Sequence, residues 1–306
     1  MTISLLIEQI LNGLQFGVML FLMSAGLTLV FGVMGLINLA HGSFYMIGAF
    51  AAAFFAELTG SFFIAMVSSF VAALFAGALT EIVIIRKIYK RDHLDQVLAT
   101  FALILLFSEG IRWLFGAYPL YLNIPNELSS SLSLPLGIMY SKYRMMIIFI
   151  GIIIAIILYF LISKTLTGIR IKAGQNDREM VSALGVDITK LYTIVFSLGA
   201  ALAGLSGALI GAIQSVEVGM GEPVLILAFV VIVIGGIGSI KGAFVGALLV
   251  GITDTMGRFL LPSFFSYFFD TASATSIGSS IASMSIYILM AIVLIFKPSG
   301  LYGLDK

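Results

Sequence analysis

Hydrophobic residues fill this chain in long stretches that no charged residue interrupts. Five such stretches reach or approach the roughly 20 mostly apolar residues that one membrane-crossing helix needs. They are residues 9–56, 58–80, 145–163, 191–216 and 271–296. The ten-residue alternation typical of a membrane β-barrel strand is absent from the sequence. The pattern therefore predicts an all-α integral membrane protein.

Composition supports this class and excludes several chemistries. Of 306 residues, 60% are apolar and 10% are charged, whereas soluble domains carry about 25% charged residues. The chain has no cysteine and two histidines, which excludes thiolate catalysis and leaves little material for a metal site or an intramembrane enzyme. A net charge of +1 gives no reason to expect nucleic acid as a partner. We expect one transmembrane domain over residues 1–306.

Two basic clusters divide the hydrophobic stretches and indicate their orientation. The clusters comprise Arg86, Lys87, Lys90 and Arg91, and then Lys164, Arg170, Lys172, Arg178 and Lys190. By the positive-inside rule both are cytoplasmic, so the loop at residues 164–190 lies inside and the loops at residues 118–143 and 262–276 lie outside. The pattern gives eight or nine hydrophobic segments. Nine full crossings place the N-terminus outside, whereas one re-entrant segment leaves eight and places it inside.

The first stretch, residues 9–56, is too long for one helix and has almost no room for a hydrated loop. Three glycines in "GVMGLINLAHG" weaken the helix, so we expect a broken or re-entrant helix near residues 32–43. Non-helical backbone at membrane depth must be buried or line a cavity, and broken helices often form translocation sites. The candidate substrate-pathway residues are Asn38, His41, Gly42 and Ser43. The alternative is a tight interfacial turn whose side chains satisfy free backbone groups.

The segment "SAGLTLVFGVMGLINLAHGSFYMIGAF", residues 24–50, resembles the membrane permease subunits of branched-chain amino acid ABC importers of the LivH type. The turn "GGIGS" and the segment "PSGLYG" extend the resemblance towards the C-terminus. It implies an ABC importer permease fold in a bacterial or archaeal cytoplasmic (inner) membrane. It also implies transport of branched-chain or other small neutral amino acids into the cytoplasm. Urea ABC permeases share the segment, so urea or a short amide is the alternative cargo.

The cytoplasmic loop contains a predicted short amphipathic helix in "NDREMVSALGV". Its apolar residues have helical spacing after an Asn176 or Asp177 N-cap, and Gly185 would end it. A connector on the lipid surface is one interpretation, but the mixed charge fits a protein partner better. The loop is also similar to the ATPase-coupling helix of the same permease family. That resemblance implies coupling roles for Asp177, Arg178, Glu179, Met180, Ala183 and Gly185.

The resemblance also implies the partners. The sequence has no "GxxxxGK[ST]" phosphate-binding loop, so ATP would be hydrolysed by a separate polypeptide and this chain would bind no cofactor itself. We expect a second permease subunit, in a heterodimer or a homodimer, and two ATPase subunits. An extracytoplasmic substrate-binding protein would dock on the outer loops, and lipid would surround the spans.

Charged residues near the spans favour local pairs over an ion-coupled mechanism. Glu109 and Arg112 have helical pair spacing, Asp254 lies four residues before Arg258, and Glu81 lies close to Arg86. With no proton-relay pattern and no evident inverted repeat, a channel or a secondary transporter is the less favoured class.

A stripe of small residues predicts close helix packing in lipid. It comprises Gly199, Ala203, Gly207 and Gly211.

Overall fold

The computed structural model describes residues 3–89 and 91–303, and eight helices in that part are long and apolar enough to cross a membrane. These are α1 (Ile3–Met34), α2 (His41–Thr59), α3 (Phe62–Ile88), α4 (His93–Phe115), α5 (Lys142–Lys164), α8 (Ile188–Gly211), α10 (Ile240–Phe265) and α11 (Thr271–Phe296). Three shorter helices of six or more residues are α6 (Leu166–Asn176), α7 (Arg178–Ala183) and the apolar α9 (Gly221–Gly235). A single helical turn, Asn126–Ser129, lies in the loop after α4. The prediction of an all-α membrane protein with eight or nine hydrophobic segments is confirmed.

Helices α1 and α8 form the centre of the bundle, because small residues let their backbones touch. A Cβ on Gly26 of α1 would lie 2.4 Å from the carbonyl oxygen of Gly199 in α8. A Cβ on Gly48 of α2 would lie 2.2 Å from Cα of Gly204. Such close approaches are how helices associate in lipid, where apolar burial provides no driving force. The predicted small-residue stripe of α8 therefore packs against α1 through Gly199. It packs against α2 through Gly207, where a Cβ would lie 2.0 Å from the carbonyl oxygen of Tyr45.

The first long apolar stretch is broken at residues 35–40, within the predicted interval 32–43. Helix α1 ends at Met34 and α2 begins at His41. Gly35 has φ +65° and donates its N–H to the carbonyl of Phe31 at 2.9 Å, which is a left-handed helix end that favours glycine. The sequence predicted this break because the apolar stretch is longer than one membrane-crossing helix.

The two ends of the bundle differ in structure and charge. We call the end that carries Arg86, Lys164 and α6–α7 the basic face. The other end, the hairpin face, carries an antiparallel pair of strands, β1 (Ser131–Leu134) and β2 (Ile138–Ser141). This pair lies in the predicted outer loop 118–143 and is an addition to the otherwise all-α prediction. A backbone bridge between Leu120 and Val216 joins two loops at the hairpin face.

Helix α1 begins at the hairpin face and ends at the basic face. Near its start, Asn12 Oδ1 accepts a hydrogen bond at 2.6 Å from Nη1 of Arg144, a residue that follows β2 closely in the chain. Near its end, a Cβ on Gly32 would lie 2.8 Å from Gln175 Nε2 of α6. Counting α1, the described part of the chain passes between the two faces nine times. Helix α9 makes one of these passes, and α2 together with the loop before it makes another. This arrangement favours nine crossings over the re-entrant alternative.

The C-terminal segment closes the basic face over α9. The N–H groups of Leu301 and Tyr302 bond to the carbonyls of Ile234 and Gly235, both at 2.9 Å. These bonds satisfy carbonyls that the end of a helix leaves without intrahelical partners. The "PSGLYG" segment thus fixes the short helix α9 to the same face as α6.

Candidate functional site

The first turn of α2 lies deep in the bundle against the middle of α1. His41 Nε2 lies 3.2 Å from the carbonyl oxygen of Met23; because a carbonyl only accepts, Nε2 carries the hydrogen and donates it. Met23 precedes Gly32 by nine residues, which is about 14 Å along a helix. This is about half of the roughly 30 Å hydrocarbon thickness of a bilayer. Helix α2 therefore begins near mid-membrane depth.

Two polar side chains at this point have no hydrogen-bond partner among the described residues. Asn38 is fully buried and Ser43 is 3% exposed. Both amide atoms of Asn38 and the hydroxyl of Ser43 are without a partner. An unpaired buried polar group costs about 1–3 kcal/mol, so such groups call for an explanation. The ring of His41 is hydrogen-bonded to α1, whereas the side-chain amide of Asn38 remains able to donate and accept hydrogen bonds.

The start of α9 meets the start of α2 at this depth. A Cβ on Gly221 would lie 2.0 Å from the carbonyl oxygen of Gly42, and a Cβ on Gly42 would lie 2.7 Å from that of Gly221. Only glycine fits this backbone contact at either position. Two helix N-termini, each with a partial positive charge, therefore lie side by side within the bundle.

Neither of these two N-termini has a side-chain cap. The residues at the capping positions, Ala40 and Met220, make no capping hydrogen bond. Side chains do cap six other helices, namely α3, α6, α7, α8, α10 and α11, through Ser61, Thr165, Asp177, Asp187, Ser239 and Asp270. The helices that start inside the bundle thus leave their first N–H groups without side-chain acceptors.

A cavity of about 170 Å3 lies beside this meeting point, among α1, α2, α8 and α9. Its walls are mostly apolar, with a few polar groups from Tyr45, Ser206 and Gln214. Ser206 Oγ donates to the carbonyl of Met19 at 2.9 Å. The site therefore combines a mainly apolar space with helix N-termini and buried polar side chains.

The predicted coupling segment, residues 177–185, lies at the basic face, away from the start of α2. Asp177 Oδ1 accepts hydrogen bonds from the N–H groups of Glu179 (3.0 Å) and Met180 (2.9 Å), and helix α7 follows. Gly185 has φ +85° and open space around its Cα. Glycine is therefore favoured here by the left-handed backbone conformation and not by close packing. The predicted short helix, its Asp177 cap and its Gly185 end are confirmed.

The surface of this segment is open and partly apolar. Met180 is 59% exposed and Leu184 is 75% exposed, and Glu179 and Ala183 are also exposed. The side chain of Arg178 lies outside the part of the chain that the structure describes. The loop holds one more helix than the sequence predicted, because α6 precedes α7 and packs on α1 and α5. The six coupling candidates all lie within residues 177–185 and are separate from the four pathway candidates.

The structure contains a buried polar network beside the predicted coupling segment that the sequence did not predict. Glu81 is fully buried and accepts hydrogen bonds from Arg86 Nη2 (2.9 Å), from Thr193 Oγ1 (2.7 Å) and from the hydroxyl of Tyr89. Arg86 Nη2 also donates to Thr193 Oγ1 at 2.9 Å. The network joins the end of α3 to the first turns of α8. The sequence offered one signal for this network: Glu81 and Arg86 are five residues apart, a spacing that does not fit a pair on an α-helix.

Asp187 caps α8 next to this network. Its Oδ1 accepts the N–H of Lys190 at 3.1 Å, and this bond together with the Lys190 side chain lowers the pKa of the carboxyl. The stabilisation by an ionised cap is present above the ordinary aspartate pKa of about 3.9. It is lost only as the pH falls through the lower folded-state pKa. The start of α8 is therefore capped at neutral pH.

The remaining charged residues near the spans form local pairs, as the sequence predicted. Arg258 Nε donates to both carboxylate oxygens of Asp254 at 3.0 Å, and Arg112 pairs with Glu109 at the hairpin-face end of α4. Among the described residues, no group of three or more His, Asp or Glu side chains could hold a metal ion. These pairs supply no continuous chain of titratable groups along the bundle.

A multi-pass membrane protein whose spans are all helical, and in which helices begin near mid-membrane depth, has the architecture of a transport permease. Residues 9–296 match the family described as branched-chain amino acid transport system / permease component. The chain belongs to this family. It is a multi-pass inner-membrane permease component of an ABC transporter and not an enzyme.

The curated relatives agree with this assignment. The chain is 27% identical to the high-affinity branched-chain amino acid transport system permease protein BraD of Pseudomonas aeruginosa, covering 97% of this chain and 95% of BraD. It is 28% identical to the probable branched-chain amino acid transport permease protein LivH of Methanocaldococcus jannaschii, covering 97% and 93%. A shorter match, 32% over 33% of this chain and 30% of the relative, is to the fructose import permease protein FrcC of Rhizobium meliloti. No solved structure matches the chain.

Proposed function

We propose that this chain is the permease subunit of an ATP-driven importer that carries branched-chain or other small neutral amino acids into the cytoplasm. The observation that carries the proposal is the meeting of two uncapped helix N-termini, those of α2 and α9, beside the buried and unpartnered Asn38. The N-terminus of α2, which has no acidic residue in its first turn, favours a carboxylate, whereas Glu222 already lies in the first turn of α9. The neighbouring cavity is mostly apolar. An aliphatic amino acid presents both kinds of group. The relatives that match nearly the whole chain are named as branched-chain amino acid permeases, which supports the same cargo.

The substrate path in this proposal passes the start of α2. Gly42 and Gly221 keep the two N-termini in contact, while Asn38 and Ser43 offer hydrogen bonds that no described residue takes. His41 instead braces the break, because its ring bonds to α1. The two interpretations of the sequence, path and brace, thus apply to different residues.

Two substitutions separate these roles. Asn38→Ala removes only unpartnered groups, so we expect normal amounts of folded protein and at least a tenfold loss of uptake. His41→Ala removes the bond to Met23, so we expect a lower yield of folded protein and a lower unfolding midpoint. Uptake is measured per folded transporter in proteoliposomes. Unchanged uptake by the Asn38→Ala variant would exclude Asn38 from the path.

We further propose that the basic face is cytoplasmic and that residues 164–190 dock an ATPase. The positive-inside rule supports the orientation, because this loop contains five basic residues, more than any other loop of the chain. The exposed Met180 and Leu184 suit an apolar groove on a protein partner. Asp177 and Gly185 define the ends of the helix that presents them, and the exposed Glu179 and Ala183 belong to the same surface. Arg178 is the first residue of this helix and completes the proposed set.

The docking proposal has a matched test. Met180→Glu should reduce the copurified ATPase severalfold, since a charge replaces an apolar contact. Met139→Glu places the same change on a methionine of similar exposure, 62% against 59%, at the hairpin face, and should leave the ATPase bound. Equal ATPase recovery from the two variants would contradict docking at α7.

The complete machine in this proposal contains a second permease subunit, identical or different, and two ATPase subunits that supply the hydrolysis of ATP. A substrate-binding protein docks outside on the loops at residues 118–143 and 262–276. Reconstitution of all components in liposomes should give leucine uptake that requires ATP and the binding protein, and urea uptake should be much weaker. Uptake by this chain alone without ATP would contradict the importer and favour a channel or a secondary transporter.

A further inference from the structure

A second and larger cavity, of about 830 Å3, lies on the flank of the bundle between α1, α5, α6 and the start of α10. Along α5 its wall runs from Ile152 to Ser163, a length of about 16 Å at 1.5 Å per residue. That length is about half of the roughly 30 Å hydrocarbon thickness. The cavity therefore spans about one leaflet, from mid-membrane depth to the basic face.

Its walls change in character along this length. The deep part is formed by aliphatic and aromatic side chains such as Phe21, Ile152 and Phe244. At the basic face the walls include two exposed lysines, Lys172 of α6 and Lys241 of α10, and none of the described residues that line the cavity is acidic. Lys241 Nζ lies 5.3 Å from the ring centroid of Tyr159, which favours a fixed position for this cation.

Polar groups occur between the apolar slot and the lysines. Thr28 of α1 lines the cavity, is 1% exposed and has a hydroxyl without a hydrogen-bond partner among the described residues. Gln175 and Asn176 of α6 line the same cavity nearer the basic face. A molecule in this cavity would thus meet an apolar wall, then a buried hydroxyl and amides, and then two positive charges.

The cavity lies on the other side of α1 from the proposed substrate path. Positions 21, 28 and 32 share one face of α1 because they are seven and four residues apart. Met23, whose carbonyl binds His41, is two positions from Phe21 and therefore about 200° around the helix. The cavity is thus separate from the meeting point of α2 and α9.

We propose that this cavity binds an anionic phospholipid of the leaflet at the basic face. The phosphate lies between Lys172 and Lys241, the glycerol and ester groups lie near Thr28 and Gln175, and an acyl chain follows α5. The one-leaflet depth, the apolar slot and the positively charged mouth match the three parts of such a lipid, and basic pockets between helices at this depth are suited to anionic headgroups.

The test is native mass spectrometry of the full chain, delipidated and titrated with phosphatidylglycerol or phosphatidylcholine in detergent. We expect one tightly bound phosphatidylglycerol and a clear preference over phosphatidylcholine. The double variant Lys172→Gln, Lys241→Gln should weaken phosphatidylglycerol binding about tenfold to thirtyfold, since each basic side chain contributes about fivefold. The control Lys87→Gln, Lys297→Gln removes the same charge from exposed lysines at the basic face and should keep wild-type affinity.

A second variant tests the slot rather than the charges. Ala155→Trp fills the apolar wall and should reduce binding of both lipids, while glycerol 3-phosphate, which has no acyl chain, should not compete with phosphatidylglycerol in the wild type. The proposal is overturned if the double lysine variant binds phosphatidylglycerol as tightly as its control. It is also overturned if the lipid is displaced completely when the second permease subunit is bound, because the cavity would then be a protein interface.

Discussion

Glu81 illustrates how one residue at the basic face joins two helices. Its carboxylate is fully buried and bonds to Arg86, Tyr89 and Thr193. In an α-helix, residues five positions apart are about 140° apart around the axis, so Glu81 and Arg86 would not face each other. Residues Glu81–Ile85 form a π-helical turn, which widens the helix and brings the pair together. The π turn therefore makes the network possible.

Replacing Glu81 should destabilise the end of α3. The variant Glu81→Gln leaves Arg86 without its charged partner, and because Arg86 is more than a third exposed we expect a loss of about 1–3 kcal/mol rather than the larger cost of a fully buried pair. The unfolding midpoint in detergent measures the loss. The control Glu109→Gln breaks an exposed pair and should cost less than about 0.5 kcal/mol. Equal midpoints for the two variants would contradict a structural role for the network.

At this scale the sequence predicted contacts only between near neighbours in the chain. It indicated the Glu81–Arg86, Glu109–Arg112 and Asp254–Arg258 pairs, because such spacings are short. It did not indicate Thr193 as a partner of Glu81, since that contact depends on how α3 and α8 pack. The same limit applies to Asn38, whose lack of a partner is a property of the folded bundle.

Glycines determine how closely the helices of the central group approach. Gly48 of α2 faces Gly204 of α8, and a Cβ on Gly48 would lie 2.2–2.5 Å from three backbone atoms of Gly204. Backbone atoms cannot move aside as a flexible side chain can, so α2 and α8 would have to separate. Since α2 also carries the candidate substrate path, this contact fixes the position of the path relative to the centre of the bundle.

The variant Gly48→Ala should therefore cost about 1–3 kcal/mol or more, as over-packed cores do. Gly110 of α4 provides the matched control, because nothing lies within 4 Å of a Cβ built there and alanine is the better helix former by up to about 1 kcal/mol. We expect less folded, monodisperse Gly48→Ala protein and unchanged or more stable Gly110→Ala protein. Similar behaviour of the two variants in unfolding and size-exclusion measurements would show that the close contact is unimportant.

The sequence was informative about the elements and silent about their partners. The small-residue stripe of α8 predicted close packing, and the structure added that its Gly199 packs on Gly26 of α1 and its Gly207 on the backbone of Tyr45 in α2. The break near residues 32–43 was predicted from the length of an apolar run. That α9 begins against the same point was not predictable, because a contact between Gly42 and Gly221 leaves no periodic signal in the chain.

Over the whole molecule, the direction of α1 fixes the topology that the sequence left open. Positive charges orient the loops near Arg86 and Lys164, but residues 9–56 contain no charge to orient the first two helices. The hydrogen bond from Arg144 to Asn12 places the start of α1 at the hairpin face. In the proposed orientation, with the basic face in the cytoplasm, the start of α1 would lie outside and nine passes would bring residues 297–303 to the inner side.

The absence of cysteine allows a direct test of this topology. Single variants Leu5→Cys, Tyr118→Cys and Ser182→Cys place one thiol each at the start of α1, in the loop before the hairpin and in α7. All three positions are exposed. A membrane-impermeant maleimide should label the first two in intact right-side-out vesicles, and should label Ser182→Cys only in inverted or opened vesicles, because the charged reagent cannot cross the hydrocarbon core. Labelling of Leu5→Cys and Ser182→Cys from the same side would mean that one of the nine passes is incomplete, and the contact between α2 and α9 would then have to be reassigned to a re-entrant segment.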